Sequence, residues 1–309
     1  MKARKFINFS AMLLAVAALA VTGCKKDDNS DDTASVEQLT ADQYNMETTI
    51  DEATRDIDGV YSSGLKSSNF DNRMPCNVSI DSVAIANDTI TLDLVYNGLN
   101  CSGTLNRTGK IEIKKRVGER WGEPGSSLMT KFMNYTVTRV STGKSVTLNG
   151  SHLFTNVSGG FIFMVGIDST SVIFESSASL QATFDDGSVR NWNVARRTTF
   201  SIEKGKLLMT IEGFGTSGSY TNLVMWGTNR ESKEFYTSIV TPVVHRQTCD
   251  WDPCSGVKVH KVPSEDAIIT MTFGYDDSHQ QVTGDACPTS YRIDWAKHEN
   301  SGVIYKPLP

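Results

Sequence analysis

Apolar residues recur at spacings of three and four along the first part of the chain, a pattern that predicts an amphipathic N-terminal helix over residues 35–64. Ser35 is placed to cap the first turn, and Gln38, three residues later, can complete a capping box. Gly59 and Gly64 indicate where the helix ends. The apolar stripe, interrupted by Gln43, consists of Val36, Leu39, Met46, Ile50, Ala53, Ile57 and Val60. Such a stripe packs against its own domain more often than against a partner helix.

After the helix the apolar positions alternate with polar ones, and turns rich in glycine, aspartate or asparagine recur at hairpin distances. This pattern predicts a mainly β domain over residues 70–309, with one large antiparallel sheet of meander topology, sandwich-like or half-barrel-like in shape. The stretch RRTTFSIEKGKLLMTIEG shows the pattern best. A loop at residues 203–206 would place Phe200 opposite Met209, so that the large apolar side chains share one face of the sheet.

One segment is apolar without alternation. It is GGFIFMVGI, residues 159–167, between two stretches with strand-like patterns. A short continuous apolar run is typical of a strand that is buried on both faces. We therefore expect this segment near the middle of the sheet.

The start of the chain has the pattern of a targeting segment. Lys2, Arg4 and Lys5 precede an apolar run that is too short to favour a membrane-spanning helix, which is typical of a signal peptide. The residues VTGC that end at Cys24 resemble the lipobox of bacterial lipoproteins. This resemblance implies that residues 1–23 are removed and that Cys24 carries acyl chains, including a diacylglycerol, that hold the protein in a membrane. An ordinary secretory signal with a chance cysteine is the alternative.

An acidic stretch, CKKDDNSDDTA at residues 24–34, follows the signal peptide. It has almost no apolar side chain to bury and its like charges repel, so we expect a flexible tether. A calcium-binding loop would also use many aspartates. The glycine and the final glutamate of an EF-hand loop are missing at the required offsets, which favours the tether.

The whole chain resembles a family of uncharacterised Bacteroidetes lipoproteins. The resemblance rests on Cys24 with its acidic stretch, on ADQYNMETTIDEA in the predicted helix, and on MTFGYDDSHQQVTGDACPTSYRIDW near the end. It implies a protein that is lipid-anchored in the outer membrane and exposed at the cell surface. The membrane, through the N-terminal lipid, is then its first partner.

Charge narrows the classes of partner. The 309 residues carry a formal net charge of −5, and loss of the signal peptide removes three further cations. An acidic chain without a dense tract of lysine or arginine is a poor candidate for binding nucleic acid. No sequence motif indicates a cofactor or a metal ion.

The cysteines fit an exported protein, because disulfides persist outside the cytoplasm. If Ala86 faced Thr91 across a hairpin, Cys76 would lie directly opposite Cys101, which predicts a cross-strand disulfide. Three further disulfide candidates remain, and their spacing does not determine the connectivity. They are Cys249, Cys254 and Cys287. Together with His260 these three cysteines could form a structural zinc site, but extracellular thiols tend to oxidise.

Catalytic motifs are missing from the sequence. It has no nucleophile elbow, no zinc-protease motif and no phosphate-binding loop, and its five histidines are scattered. Tryptophans usually fill cores, and Trp251, in a loop flanked by aspartates, is the one we expect to be exposed and to face a ligand. We therefore expect a noncatalytic surface protein for adhesion or for binding a glycan or envelope component. The alternatives are a lipid- or hydrophobe-binding envelope protein and an extracellular hydrolase.

Overall fold

A computed structural model describes residues 28–62 and 74–308. The predicted signal peptide and Cys24 lie outside the described residues. The chain is mainly β, with one N-terminal helix and one large antiparallel sheet, as the sequence predicts. No helix in the described ranges combines the length and the apolar character that crossing a membrane requires.

The elements follow one another along the chain with short connections. The helix α1 spans Asp28–Ser62. The strands β1 to β15 span Val78–Ala86, Thr89–Leu99, Leu105–Arg116, Ser126–Arg139, Ser145–Asn156, Ser171–Phe184, Val189–Glu203, Lys206–Gly213, Gly215–Ser217, Tyr220–Thr228, Glu234–Arg246, Pro253–Val262, Ala267–Tyr275, Ser290–Lys297 and Asn300–Pro307.

The sheet is a meander with one insertion. Consecutive strands pair from β1 to β7 and again from β10 to β15, and every paired strand runs antiparallel to its neighbour. The short strand β8 lies between β7 and β11 beside β10, and β9 pairs with β10. Along many strands buried and exposed residues alternate, so the sheet has one face toward the core and one toward solvent.

The helix α1 is enclosed by the buried face of the sheet. The predicted apolar stripe is buried as expected, from Val36 to Val60. The polar side of the helix is buried as well, because carboxylates of α1 pair with cations on strands from different parts of the sheet. These ion pairs are Asp56–Arg107 from β3, Asp51–Arg196 from β7, Glu47–Lys258 from β12, Asp32–Lys297 from β14 and Glu37–Lys306 from β15. The sheet therefore curves around α1, and the core lies between them.

The predicted start of the helix was wrong. α1 begins at Asp28, so residues 28–34, expected in the flexible tether, are helical. Ser35 lies inside the helix, where its hydroxyl donates to the carbonyl of Asp32 at 2.9 Å. Tertiary contacts explain the longer helix, because the Asp32 carboxylate accepts a hydrogen bond from Asn300 at 2.8 Å and lies 3.4 Å from Lys297. Acidic residues in the first turns also suit the helix dipole.

The hairpin of β7 and β8 confirms the predicted register. Phe200 lies opposite Met209, and Glu203 pairs with Lys206 across the turn. Lys204 and Gly205, the two residues between them, have φ angles of 51° and 74°. A two-residue turn in this left-handed conformation matches the twist of the strands.

The apolar segment 159–167 does not form a strand in the sheet, contrary to the prediction. It lies in the loop between β5 and β6, with one turn of 3-10 helix at Ile162–Met164. Gly159 and Gly160 adopt φ angles of 75° and 84°, which interrupt an extended strand. Ile167 is 74% exposed, so the run is only partly buried. A short apolar run does not by itself distinguish a strand from a packed loop.

Candidate functional site

A cavity of about 790 Å³ lies beside the middle of α1. One wall is formed by α1 between Tyr44 and Asp56. The loop at residues 100–104, between β2 and β3, forms a second wall, and the loop at residues 247–252, between β11 and β12, forms a third. The cavity thus lies where two loops from distant parts of the chain meet the buried helix.

A disulfide holds the first of these loops. Cys76 and Cys101 are bonded, as the sequence predicts, with Cα atoms 5.1 Å apart. The register on which that prediction relied was wrong, because Ala86 pairs with Thr89 and not with Thr91. The turn contains only Asn87 and Asp88, residue types that tolerate the positive φ such a tight turn needs. The cysteines lie beyond the paired residues of β1 and β2, so the shift of register does not separate them.

A second disulfide holds the other loop. Cys249 is bonded to Cys287, which leaves Cys254 as a free, buried cysteine. The alternative of a structural zinc site was wrong, because Cys249 and Cys287, two of its three proposed cysteine ligands, are oxidised in this disulfide. His260 is buried elsewhere, with Nδ1 2.9 Å from the hydroxyl of Thr237. Within the described ranges no group of three or more His, Cys, Asp or Glu side chains could hold a metal ion.

Trp251, which the sequence led us to expect as an exposed, ligand-facing side chain, is half-buried and lines the cavity. Its loop is tightly turned: Asp250 and Trp251 have φ angles of 53° and 65°, a conformation that non-glycine residues rarely adopt. The amide of Trp251 donates to the carbonyl of Arg246 at 3.1 Å. Its half-buried indole meets the ring of Phe200 edge to face, with centroids 6.2 Å apart. These contacts fix the side chain at the wall of the cavity.

His245 supports this loop from beneath. Its Nδ1 lies 2.8 Å from the carbonyl oxygen of Trp251. Burial lowers the pKa of His245 to about 3, with a further lowering from the nearby cations of Lys258 and Arg196. The imidazole is therefore neutral at physiological pH and holds the backbone of the tryptophan in place.

A buried charge network forms the floor beneath α1. Arg107 is 2.5 Å from the carboxylate of Asp56 and 3.2 Å from that of Glu52. A second Nη of Arg107 donates to the carbonyl of Cys76 at 2.6 Å, which ties the network to the first disulfide. Burial raises the pKa of Asp56 to about 7, although Arg107 acts in the opposite direction. The floor is thus polar, and its charges are largely paired.

Tyr44, Arg139 and Asp252 form the third polar group. The phenol of Tyr44 donates to the carboxylate of Asp252 at 3.3 Å. The guanidinium of Arg139 lies 5.0 Å from the centroid of the Tyr44 ring, a cation–π distance. Burial raises the pKa of Asp252. Arg139 also donates from one Nη to the hydroxyl of Thr48 at 3.4 Å.

The sequence identified part of this site. The Cys76–Cys101 pair was predicted, though from a wrong register, and the sequence left the partner of Cys287 open. Trp121, Trp192 and Trp295 are buried in the core as expected. His245, Arg139, Tyr44 and the carboxylates of α1 were missed. A single histidine or arginine on a strand does not indicate a functional site by itself, because the residues that it contacts lie far away in the sequence.

The arrangement offers an aromatic ring beside hydrogen-bond donors and acceptors in a preformed polar cavity, which suits reversible binding of a polar small molecule or chain end. Searches against protein families, curated proteins and solved structures found no match to this chain.

Proposed function

We propose that this chain is a lipid-anchored, noncatalytic protein of the outer cell surface that binds a glycan or a glycan-bearing envelope component in the cavity beside α1. The observation that carries the proposal is the position of Trp251, held by a disulfide-pinned loop at the wall of a polar cavity. An aromatic ring can pack against the apolar face of a sugar ring, while polar neighbours bind its hydroxyl groups.

Size and rigidity support this proposal. A cavity of about 790 Å³ lies within the range of about 300–1,000 Å³ that is typical of small-molecule sites. Both loops that form its walls are fixed by disulfides. A site that is already ordered loses less conformational entropy on binding, which favours affinity for a small, well-hydrated ligand.

The interior of the sheet argues against the hydrophobe-binding alternative. A curved sheet that binds lipid needs an apolar groove without a polar centre. Here α1 fills the concave side, and Arg107, Arg196 and Lys258 point inward to pair with its carboxylates. An apolar ligand in this cavity would leave charged groups without water, at a high cost in free energy.

A hydrolase is the second candidate. The raised pKa of Asp56, at about 7, is a property that a catalytic acid needs. Asp56 and Glu52 both lie against Arg107, however, so neither carboxylate is free to act as a base or a nucleophile. We therefore favour binding without cleavage.

The anchoring part of the proposal rests on Cys24 and the signal peptide before it. Since α1 begins at Asp28, only a few residues would separate the lipid from the domain. Protease treatment of intact cells, with Cys24→Ala as the matched variant, tests the location.

The binding proposal predicts that the chain from residue 25 onward, which lacks the lipid-bearing Cys24, retains members of a glycan array and releases them uncut. We expect Trp251→Ala to weaken the affinity for a retained glycan at least about tenfold, because an aromatic contact is lost. Trp226→Ala is the matched control, since Trp226 is half-buried and does not line the cavity. Equal binding by the wild-type chain and the Trp251 variant, with both folded by circular dichroism, would overturn the proposal, and recovery of shortened glycans would favour the hydrolase.

A further inference from the structure

Most of the charged side chains that line the cavity are paired within the protein. Arg107 contacts the carboxylates of Asp56 and Glu52, and Glu52 also contacts Arg55. Two further carboxylates of α1 that line the cavity pair with cations on the sheet, Glu47 with Lys258 and Asp51 with Arg196. The opposite charges offset one another, so these groups give the cavity little net charge.

Arg139 and Asp252 offset one another through Tyr44. The phenol of Tyr44 donates to the carboxylate of Asp252, and the centroid of its ring lies 5.0 Å from the guanidinium of Arg139. Burial raises the pKa of Asp252, whereas Tyr44 and Arg139 act in the opposite direction. The arginine is therefore near enough to stabilise the charge of this carboxylate.

Asp250 is the carboxylate that this pairing leaves over. It is exposed and lines the cavity, and among the described residues it has no ion-pair partner. It directly precedes Trp251, the aromatic residue of the proposed site. The accessible part of the cavity thus carries a negative charge beside an aromatic ring.

An aromatic ring beside an unpaired carboxylate suits a cation. The face of an indole attracts positive charge, and the carboxylate supplies a counter-ion. A sugar carries such a charge when it has an ammonium group. We infer that the glycan contains a protonated amino sugar, whose ammonium group binds beside Asp250 and Trp251. This inference rests on the proposed glycan-binding function and names the chemical class of its ligand.

An acidic sugar fits this site less well. Its carboxylate or sulfate would meet the unpaired charge of Asp250. The cations around the cavity offer little compensation, because the side chains of Arg107, Arg196 and Lys258 are at most 5% exposed and each already contacts a carboxylate. Arg55 is more accessible but is paired as well. An acidic ligand could reach these cations only by breaking pairs that stabilise the fold.

Isothermal titration of the chain from residue 25 onward compares sugars that differ in charge. The probes are the methyl glycosides of glucosamine and galactosamine, each beside its N-acetylated form, and that of glucuronic acid, at a pH at which the free amines are protonated. We expect at least one free amine to bind about fivefold more tightly than its N-acetylated form and than glucuronic acid, because an exposed ion pair and an exposed cation–π contact each contribute modestly. Added salt should reduce this preference, since it screens exposed charges.

Asp250→Asn tests the carboxylate itself. Asparagine tolerates the left-handed conformation of Asp250, which has a φ angle of 53°, so the loop should keep its shape. We expect this variant to lose the preference for the free amine. Asp266→Asn is the matched control, because Asp266 also follows a 3-10 turn with a positive φ angle, 46°, and is exposed, but does not line the cavity. An unchanged preference in Asp250→Asn would overturn the inference.

The outcomes separate this inference from the broader proposal. Tighter binding of an N-acetylated or acidic sugar, weakened by Trp251→Ala, would overturn the amino-sugar inference and leave glycan binding intact. Retention on the array of only those glycans that lack a free amine would do the same. Failure of all the sugars to bind, on the array as well as in titration, would overturn both.

A non-sugar amine distinguishes the sugar from the charge that it carries. Nα-acetyl-lysine amide presents a primary ammonium group without a sugar ring. We expect it to bind more weakly than the amino sugar, because it lacks the ring that packs against Trp251. Equal affinity, with the same dependence on Asp250, would mean that the site recognises a lysine side chain, and would overturn the amino-sugar inference and the glycan proposal together.

Discussion

Replacing Arg107 with methionine should lower the free energy of unfolding by about 3–5 kcal/mol. Arg107 is 1% exposed and contacts the carboxylates of Glu52 and Asp56 and the carbonyl of Cys76. Methionine fills similar space but leaves the buried carboxylate of Asp56 and the carbonyl of Cys76 without this donor, while Glu52 keeps only its ion pair with Arg55. Urea denaturation of the two proteins, followed by circular dichroism, measures the difference.

Two comparisons show whether the buried network is responsible. Arg197→Met removes an ion pair with Glu175 on the exposed face of the same sheet, and it should cost less than about 1 kcal/mol. Adding Glu52→Gln and Asp56→Asn to Arg107→Met removes the unpaired charges and should recover part of the lost stability. Similar losses in the two arginine variants would mean that the enclosed charge network does not stabilise the fold as described.

Loss of the Cys249–Cys287 disulfide is expected to have the second-largest effect. The two cysteines are 38 residues apart, and cross-linking a chain segment of that length restricts the unfolded state by about 4 kcal/mol. The double variant Cys249→Ala/Cys287→Ala should therefore unfold at a much lower urea concentration. It should also bind glycan more weakly, since the loop that carries Trp251 becomes less ordered.

Cys254→Ala is the matched control for this variant. It removes the free, buried thiol on the adjoining strand and leaves both disulfides in place. We expect a loss of about 1 kcal/mol and unchanged binding. If the double variant were as stable as Cys254→Ala and bound glycan normally, the Cys249–Cys287 disulfide would contribute neither to the stability of the fold nor to the order of the binding loop.

Local patterns in the sequence predicted the elements of the fold well. The alternation of apolar and polar residues along a strand determines which residues share a face of the sheet. The Lys204-Gly205 turn determines which residues of β7 and β8 pair. Each of these patterns involves only residues that are close in the sequence. The apolar stripe of α1 likewise predicted a buried helical face. These features are set by short-range geometry, which a sequence pattern records directly.

The enclosure of α1 could not be predicted in the same way. Asp51 and Glu47 look like solvent-facing residues in the sequence, because charged side chains are rarely buried without partners. Their partners, Arg196 and Lys258, lie on strands more than 140 residues away. Only the curvature of the sheet brings these charges together, and no local pattern encodes it. The same reason explains why His245 was missed.

Indole nitrogen spectra of the labelled protein test the central claim most directly. The chain contains five tryptophans, so the Nε1 resonance of Trp251 can be assigned by comparison with Trp251→Phe. Saturation with a glycan that the array retains should shift the Trp251 resonance and leave that of Trp226, which does not line the cavity, unchanged. A retained glycan that binds without changing the Trp251 signal would contradict the account, since the sugar would then lie outside the cavity.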